Sequence, residues 1–508
     1  MDLELTYQNL NFFEPVVDTT LYQEETAESI VPDSCPDIAR IVLTTGLPLV
    51  TERIVQEGKG ELSGQVRAVI LYQPEGEFSL RRLDVTVPFK STVTGSEITS
   101  GSRMIAIPTL QALETRILNP RKVLVRVNLA VGVKIYAPIS LQLCSQVEAP
   151  EQAGVEQLQE SCRTYCTVAV QEKDFTYSDE LPLGNGRGGV EELLDQRVHF
   201  RCTESKIIGS KLIFKGDAEL HLLYRTADGI EGADYKLPFS QIMEVSELGE
   251  NTDCDLDIRL TDLRCELGSD GGNLVYVNFE VLAQAVIREQ RELPLVRDMY
   301  STVCPAQVEY QTCRLWQRLG GETDHQSLRE LVELERAVKS VLDVRVDPGL
   351  VSCSREGGQM TVSQPLGIQI LYLGEDDLIY CAQHQTEAVS RFDCAEGAAL
   401  LTHCEGEGDV FATPAAGGAE VRCAVSFQAI GIRRDSFVSL KNCTLQEPDL
   451  SQPETERPSI VLRQMQPDEN LWDVAKSCCT TRAVILSANE LTDEEECYGR
   501  MLLIPRVR

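Results

Sequence analysis

Alternation of apolar and polar residues with period two dominates the chain. In DAELHLLY (217–224), Ala218, Leu220, Leu222 and Tyr224 fall on one face, and Asp217, Glu219 and His221 on the other. VRVNLAVGV from Val125 and VYVNFEVL from Val275 alternate likewise. Such segments predict strands with one buried face. QPEGE, TADG and SDGGN place turn-forming residues between them. Helical spacing is scarce. In SLRELVELERAVKSVL (327–342), Leu328, Leu331, Val338 and Leu342 approximate a stripe, which predicts one packing helix.

The pattern also repeats. ELSGQVRAVILY ends at Tyr72, IFKGDAELHLLY at Tyr224 and TVSQPLGIQILY at Tyr372, so the tyrosines lie 152 and 148 residues apart. A Pro-Phe pair follows the first two, at Pro88-Phe89 and Pro238-Phe239. The strands from Val125 and Val275 are offset by 150 residues, and VRCAVSFQAIGI from Val421 is a weaker third copy. Recurrence of several markers at nearly one offset indicates three copies of one domain, at 1–145, 160–300 and a divergent 301–438. Prolines and polar residues then read as a linker over 439–459. The expected fold is mainly β: three tandem antiparallel units, sandwich or barrel-like, followed by a small α+β domain of βααβ order at 460–508.

Composition narrows the function. In 508 residues, 79 Asp and Glu outnumber 47 Lys and Arg, for a formal net charge of −32. That sign argues against binding nucleic acid or anionic lipid by phosphate neutralisation. Hydrophobic residues make up 43%, enough for several cores and too many for an acidic disordered tail. No run of about 18 apolar residues occurs, so no direct membrane insertion is expected. MDLELTYQNLNFFEPVV lacks the basic and apolar regions of a signal peptide, and the expectation is a protein that stays in the cytoplasm. The 18 cysteines contain no CxxC; Cys162/Cys166 and Cys478/Cys479 are the nearest pairs, while Cys394 and Cys404 share a loop-like stretch. Buried reduced thiols are the expectation, with oxidative cross-linking as the alternative.

Motifs for chemistry are weak. Gly184, Gly186 and Gly189 formally satisfy GxGxxG. They stand where the first unit has VPDSCPDIARIV (31–42), without the βαβ context that a dinucleotide needs. His199, His221, His325, His384 and His403 show no pairing with Ser or Cys. His199 and His221 lie on polar strand faces, and His403 sits in a loop beside Cys404; all read as solvated surface residues. Glu375–Asp377 and Asp493–Glu496 lack calcium-loop spacing and read as turns. Paired acids for glycoside cleavage are recognised by separation in space. No other feature points to catalysis, and no catalytic residue, metal or cofactor is expected.

The C-terminal segment IVLRQMQPDENLWDVAKSCCTTRAVILSANELTDEEECYGRMLLIPR resembles a LysM domain. Ile460–Leu462 predicts a strand, and Leu471, Val474 and Ala475 one face of a first helix. Thr480 or Thr481 can cap a second helix, whose inner face would hold Ile485 and Ala488. Met501–Ile504 predicts a closing strand. Leu471, Trp472, Asn489, Leu491, Gly499, Ile504 and Pro505 match the family pattern. LysM modules bind N-acetylglucosamine glycans in a shallow groove, which the resemblance places at Asp468, Glu469, Asn470, Leu471, Asn489, Leu491 and Gly499. Asp468, Glu469 and Asn470 replace the family's Gly-Asp-Thr. The lost Gly removes a position of close backbone approach, so a protein ligand is expected ahead of peptidoglycan glycan, with Leu471 and Trp472 as core.

Together with VPDSCPDIARIV, YRTADGIEGADYKLPFSQ (224–241) and DMYST (298–302), this terminal segment makes the whole chain resemble the SPOCS–LysM proteins of endospore-forming clostridia. The resemblance implies a non-enzymatic scaffold of spore-coat assembly in the mother-cell cytoplasm at the forespore surface. Its implied partners are the spore coat morphogenetic ATPase and other coat proteins. The alternative is a peptidoglycan-binding protein of cortex or cell wall. Segment 460–508 carries 6 Lys and Arg against 8 Asp and Glu, so nearly all of the charge lies in the β repeats.

Overall fold

The computed structural model describes residues 3–183, 189–246, 248–249, 251–268, 273–446, 459–466 and 468–506. Its first unit comprises β1 (Glu4–Ile30), β2 (Ile38–Gln56), β3 (Lys59–Pro74), β4 (Arg81–Thr94), β5 (Arg103–Asn119) and β6 (Lys122–Glu148). β2, β3 and β4 form an antiparallel meander, and β1, β6 and β5 a second sheet in that order. The second unit repeats this order with β7 (Val155–Pro182), β8 (Glu192–Ile208), β9 (Lys211–Thr226), β10 (Gly229–Glu244), β11 (Thr252–Leu267) and β12 (Leu274–Ser301). The third runs from β13 (Ala306–Glu333) to β19 (Gly418–Leu445). Its second strand is broken into β14 (Val338–Pro348) and β15 (Ser352–Glu356), and β16 (Gln359–Gly374), β17 (Ile379–Asp393) and β18 (Ala398–Ala415) complete it. Each unit is an open sandwich, and in the first two the second sheets run on as one six-stranded sheet where β1 pairs β7 at Phe13 and Thr167; among the described residues none closes into a barrel.

Period-two burial holds each sandwich together. On β6, Val123, Val125, Val127, Leu129, Val131, Val133 and Ile135 are all buried in one core with Phe89 and Tyr72 of the facing meander. Each such side chain contributes roughly 1.5–3 kcal/mol when fully buried. Pro88 and Pro238 lie on β4 and β10, which are sheet edges where a missing N–H costs no ladder bond. Phe89 and Phe239 beside them are buried.

Bulges recur at matching places and turn the units towards one another. Leu43, Asp195 and Asp343 each follow a ladder shift that leaves Val42, Leu194 or Leu342 unpaired. A bulge re-aims the extra side chain, and these three join one apolar cluster with Leu71, Leu223 and Leu371 from the three meanders. In ILY, LLY and ILY, therefore, Tyr72, Tyr224 and Tyr372 fill the sandwich cores, while each preceding Leu points at a common pseudo-threefold apex. A second set of shifts skips Val16, Val168 and Leu319. Beyond them the first and last strands of each unit continue as a two-stranded ribbon, and the three ribbons pack into a stalk. Leu10, Cys162 and Cys313 share one cluster there, and Cys144, Val296 and Leu440 another.

Several sequence expectations are corrected. The helix at 327–342 is absent: β13 continues through Glu333 and β14 starts at Val338. Leu328 and Val332 pair with Cys423 and Ala419 on β19, whereas Leu331 is exposed. Long antiparallel pairing outweighs the weak helical stripe. His403 and Cys404 lie on β18, paired with Gln428 and Phe427, and are not in a loop. His221 is largely buried between Asp234 and Asp343. Gly184 and Gly186 lie outside the described residues; Gly189 is half-buried ahead of β8.

The C-terminal module has the order β20 (Ile460–Gln464), α1 (Leu471–Cys478), α2 (Arg482–Ala488), a 3-10 turn at Glu494–Cys497 and β21 (Met501–Pro505). β20 and β21 pair antiparallel. Ala488, expected inside, is exposed at the end of a seven-residue helix, while Ile485 is fully buried. Among the described residues no helix is long and apolar enough to cross a membrane.

Candidate functional site

Local capping shapes the module's first loop. Asn470 is the N-cap of α1, and its Oδ1 accepts from Asp473 N at 2.7 Å. Glu469 accepts from the backbone N–H of Gln466 at 3.1 Å and pairs with Arg463, which folds the loop over β20. Asp468 is exposed and Leu471 is buried in the module core. Thr481 caps α2 by accepting from Val484 N at 3.1 Å.

The opposite loop is held by Asn489. Its Nδ2 donates to Ile485 O and Leu503 O at 2.7 Å each, and its Oδ1 accepts from Leu503 N at 2.8 Å. That side chain stitches α2 to β21, so its polar groups are engaged internally. Leu491 packs half-buried on the core, and its N–H donates to Leu486 O at 3.0 Å. Gly499 has φ +71 with open space where a Cβ would stand, and its N–H donates to Met465 O at 3.1 Å. That bond ties the two loops. Of the seven groove residues, then, Asp468, Asn470 and Gly499 are exposed, Glu469 and Leu491 are half-buried, and Leu471 and Asn489 serve the module's own fold.

Residues outside that set carry the contact with the β body. Trp472 Nε1 donates to Asp298 Oδ2 at 2.7 Å, and Lys476 Nζ reaches both carboxylate oxygens at 2.7 and 2.8 Å. Tyr310 of the third unit donates to the same carboxylate at 2.5 Å. Tyr300 packs edge-on to Trp472 with centroids 4.8 Å apart and donates to Thr480 O at 2.8 Å. Burial opposes ionisation of Asp298, but hydrogen bonds from Lys476, Tyr310 and Trp472 outweigh it and hold the carboxyl below its ordinary value. In the sequence, DMYST carries only the family resemblance. The available signal was its alternation, which sets Asp298 and Tyr300 on one strand face just past a bulge at Arg297.

Between apex and stalk, all three units line a cleft of about 2370 Å³. Arg197 crosses from the second unit to grip Asp343 with two bonds of 2.7 Å, and His221 Nε2 lies 3.2 Å from the same carboxylate. Burial works against the charge on Asp343, yet His221 and Arg197 hold its carboxyl well below the usual range. Among the described residues no three His, Cys, Asp or Glu side chains are grouped to hold a metal ion. In the stalk, burial pushes Cys162 up to about 12 and Cys166 up to about 11, so both sit as thiols at neutral pH.

Residues 189–267, which run from the approach to β8 through the end of β11, match the family model described as SipL, SPOCS domain. This segment of the second unit is similar to a SPOCS domain. The match covers the meander and the following strand of the second unit, the part of each unit that faces the shared apex and cleft. No curated protein and no solved structure matches the chain. The SPOCS segment supplies Leu194, Arg197, His221 and Leu223, so the family match falls on the residues that join this unit to its neighbours.

Proposed function

We propose that the chain is a non-enzymatic scaffold of spore-coat assembly. The single observation that carries this reading is the SPOCS match at residues 189–267, because SPOCS points to a sporulation protein. The first and third units share the strand order and bulge positions of the matched one, which supports reading all three as SPOCS domains. Such a body offers broad surfaces and strand edges for protein contacts. The proposed partners are the coat morphogenetic ATPase at the forespore surface and other coat proteins, in the mother-cell cytoplasm.

The C-terminal module is read as a LysM domain with an altered first loop. Glu469 and Asn470 are engaged in loop and cap bonds, and Asn489 in strand bonds. A sugar would find few free groups there beyond Asp468, since the Gly499 N–H and carbonyl are bonded to Met465 and Gln464, which supports a protein ligand. The test is affinity purification of the full chain from sporulating cells, beside sedimentation of the same chain with insoluble peptidoglycan. Recovery of the coat ATPase, reduced by Asp468→Lys, is the expected result. Sedimentation with peptidoglycan and no ATPase recovery would overturn the protein-binding reading.

A further inference from the structure

We propose that Asp298 is a single-carboxylate latch that holds the C-terminal module on the second unit, and that its opening frees the Trp472–Lys476 face of α1. The inference stands apart from what the module binds.

Three observations lead to it. First, the bonds converge on one group. Asp298 accepts from Trp472 Nε1, from Lys476 Nζ and from Tyr310 OH, so loss of one carboxylate unpairs a buried indole N–H and an ammonium together. Second, the apolar part of the contact is small. Among the described residues, only Tyr300 and Leu158 of the β body join the hydrophobic core of the module, whose other members all lie in 461–504. A junction this small behaves like a mobile domain contact and not like a shared core. Third, the pseudo-threefold body offers three comparable places and only one is equipped. Ladder shifts skip Ser145, Arg297 and Lys441 at matching points of β6, β12 and β19. The residues one and three places later are Gln146 and Glu148 in the first unit, Asp298 and Tyr300 in the second, and Asn442 and Thr444 in the third. An amide cannot neutralise Lys476, and neither Glu148 nor Thr444 offers an aromatic face to Trp472. The chemistry, not the backbone, selects the second unit.

The closed latch covers Trp472, which is only 4% exposed, and engages Lys476. Any partner that reads this face of α1 must present its own carboxylate beside an apolar ring and displace Asp298. The loops with Asp468 and Gly499 stay open in the closed state.

Trp316 and Trp472 are the two tryptophans of the chain, so Trp316→Phe leaves Trp472 as the reporter. In that background, Asp298→Asn and, separately, Lys476→Ala should move Trp472 emission to longer wavelength and enlarge the hydrodynamic radius. Loss of a charged hydrogen bond should weaken closure about 10- to 100-fold, while the β circular dichroism and its melting stay as in the parent. Unchanged emission in both variants would overturn the latch. A shift accompanied by loss of the β signal would also overturn it, since the carboxylate would then hold the fold itself.

Discussion

The junction of the first and second units and the junction of the second and third sit at comparable places, and between apex and stalk they set different chemistry at matching positions. Leu49, two residues before the unpaired Thr51 of β2, is fully buried within the core of the second unit. Arg201, two residues before the unpaired Thr203 of β8, reaches instead to Gly408 O of the third unit at 3.3 Å. The first junction adds an apolar cluster of Ile105, Tyr136, Val170 and Val286. The second adds Arg197–Asp343, Arg345–Asp195 at 3.9 Å, His403–Asp255 at 3.6 Å and Lys236–Asp409 at 3.9 Å. The first junction also carries Arg67–Asp262, Arg53–Glu172 at 3.3 Å and Arg81–Glu192 at 3.5 Å, and the second shares the apolar apex and stalk clusters. The contrast therefore lies between apex and stalk, where one junction places Leu49 and the other Arg201 and the Asp343 pairs. Apolar burial is indifferent to pH and weakly sensitive to salt, whereas the charged junction responds to both.

Asp343→Ala should have the largest effect on this contrast. It removes the buried carboxylate that holds both the half-buried Arg197, left with Val344 O, and His221, and should cost about 3–5 kcal/mol, read by urea denaturation at pH 7. A loss under about 1 kcal/mol, the scale of an exposed pair, would mean that the junction does not depend on this carboxylate. Leu49→Ala should cost about 2–4 kcal/mol through the cavity it opens. Its effect should be equal at pH 6 and pH 9, and a clear pH dependence would dissolve the contrast.

Much of the body was legible beforehand because alternation and repeat spacing report burial on one face. Tyr72, Tyr224 and Tyr372 marked equivalent strands, and Leu222 and Leu220 were assigned to the buried face where they lie. Leu223 was not legible as buried, since it points away from its own sandwich and meets Leu71 and Leu371 only across the apex. His221 looked solvated for the same reason: Asp343 covers it from another unit. Residues 327–342 looked helical because β19, which pairs with β13, is distant in sequence. In the module, Asn470 and Thr481 were readable from capping rules, but Asp298 was not, because its ligands Trp472 and Lys476 are more than 170 residues away.

Two smaller effects sharpen the contrast. Burial would lower the pKa of His221, but Asp343 and Asp234 outweigh it and raise it above 6.5. A raised histidine stabilises the fold below its unfolded pKa and loses that contribution as pH rises through the folded value. His221→Gln should therefore cost about 1–2 kcal/mol near pH 6 and progressively less towards pH 9, as measured by paired denaturation curves. A difference that grows with pH would contradict the assignment. Lys236→Ala removes a pair exposed on both sides and should change stability by under about 1 kcal/mol, vanishing in high salt.

The proposed scaffolding of the forespore surface through the terminal module is tested most directly by fractionation. Tagged full-length chain and a chain ending before residue 460 would be followed in sporulating cells. The full chain should sediment with the forespore, and the shortened chain should stay in the supernatant with its β signal intact. Equal sedimentation of the two would contradict the role given to the module, and absence of both from the forespore would contradict the scaffold itself.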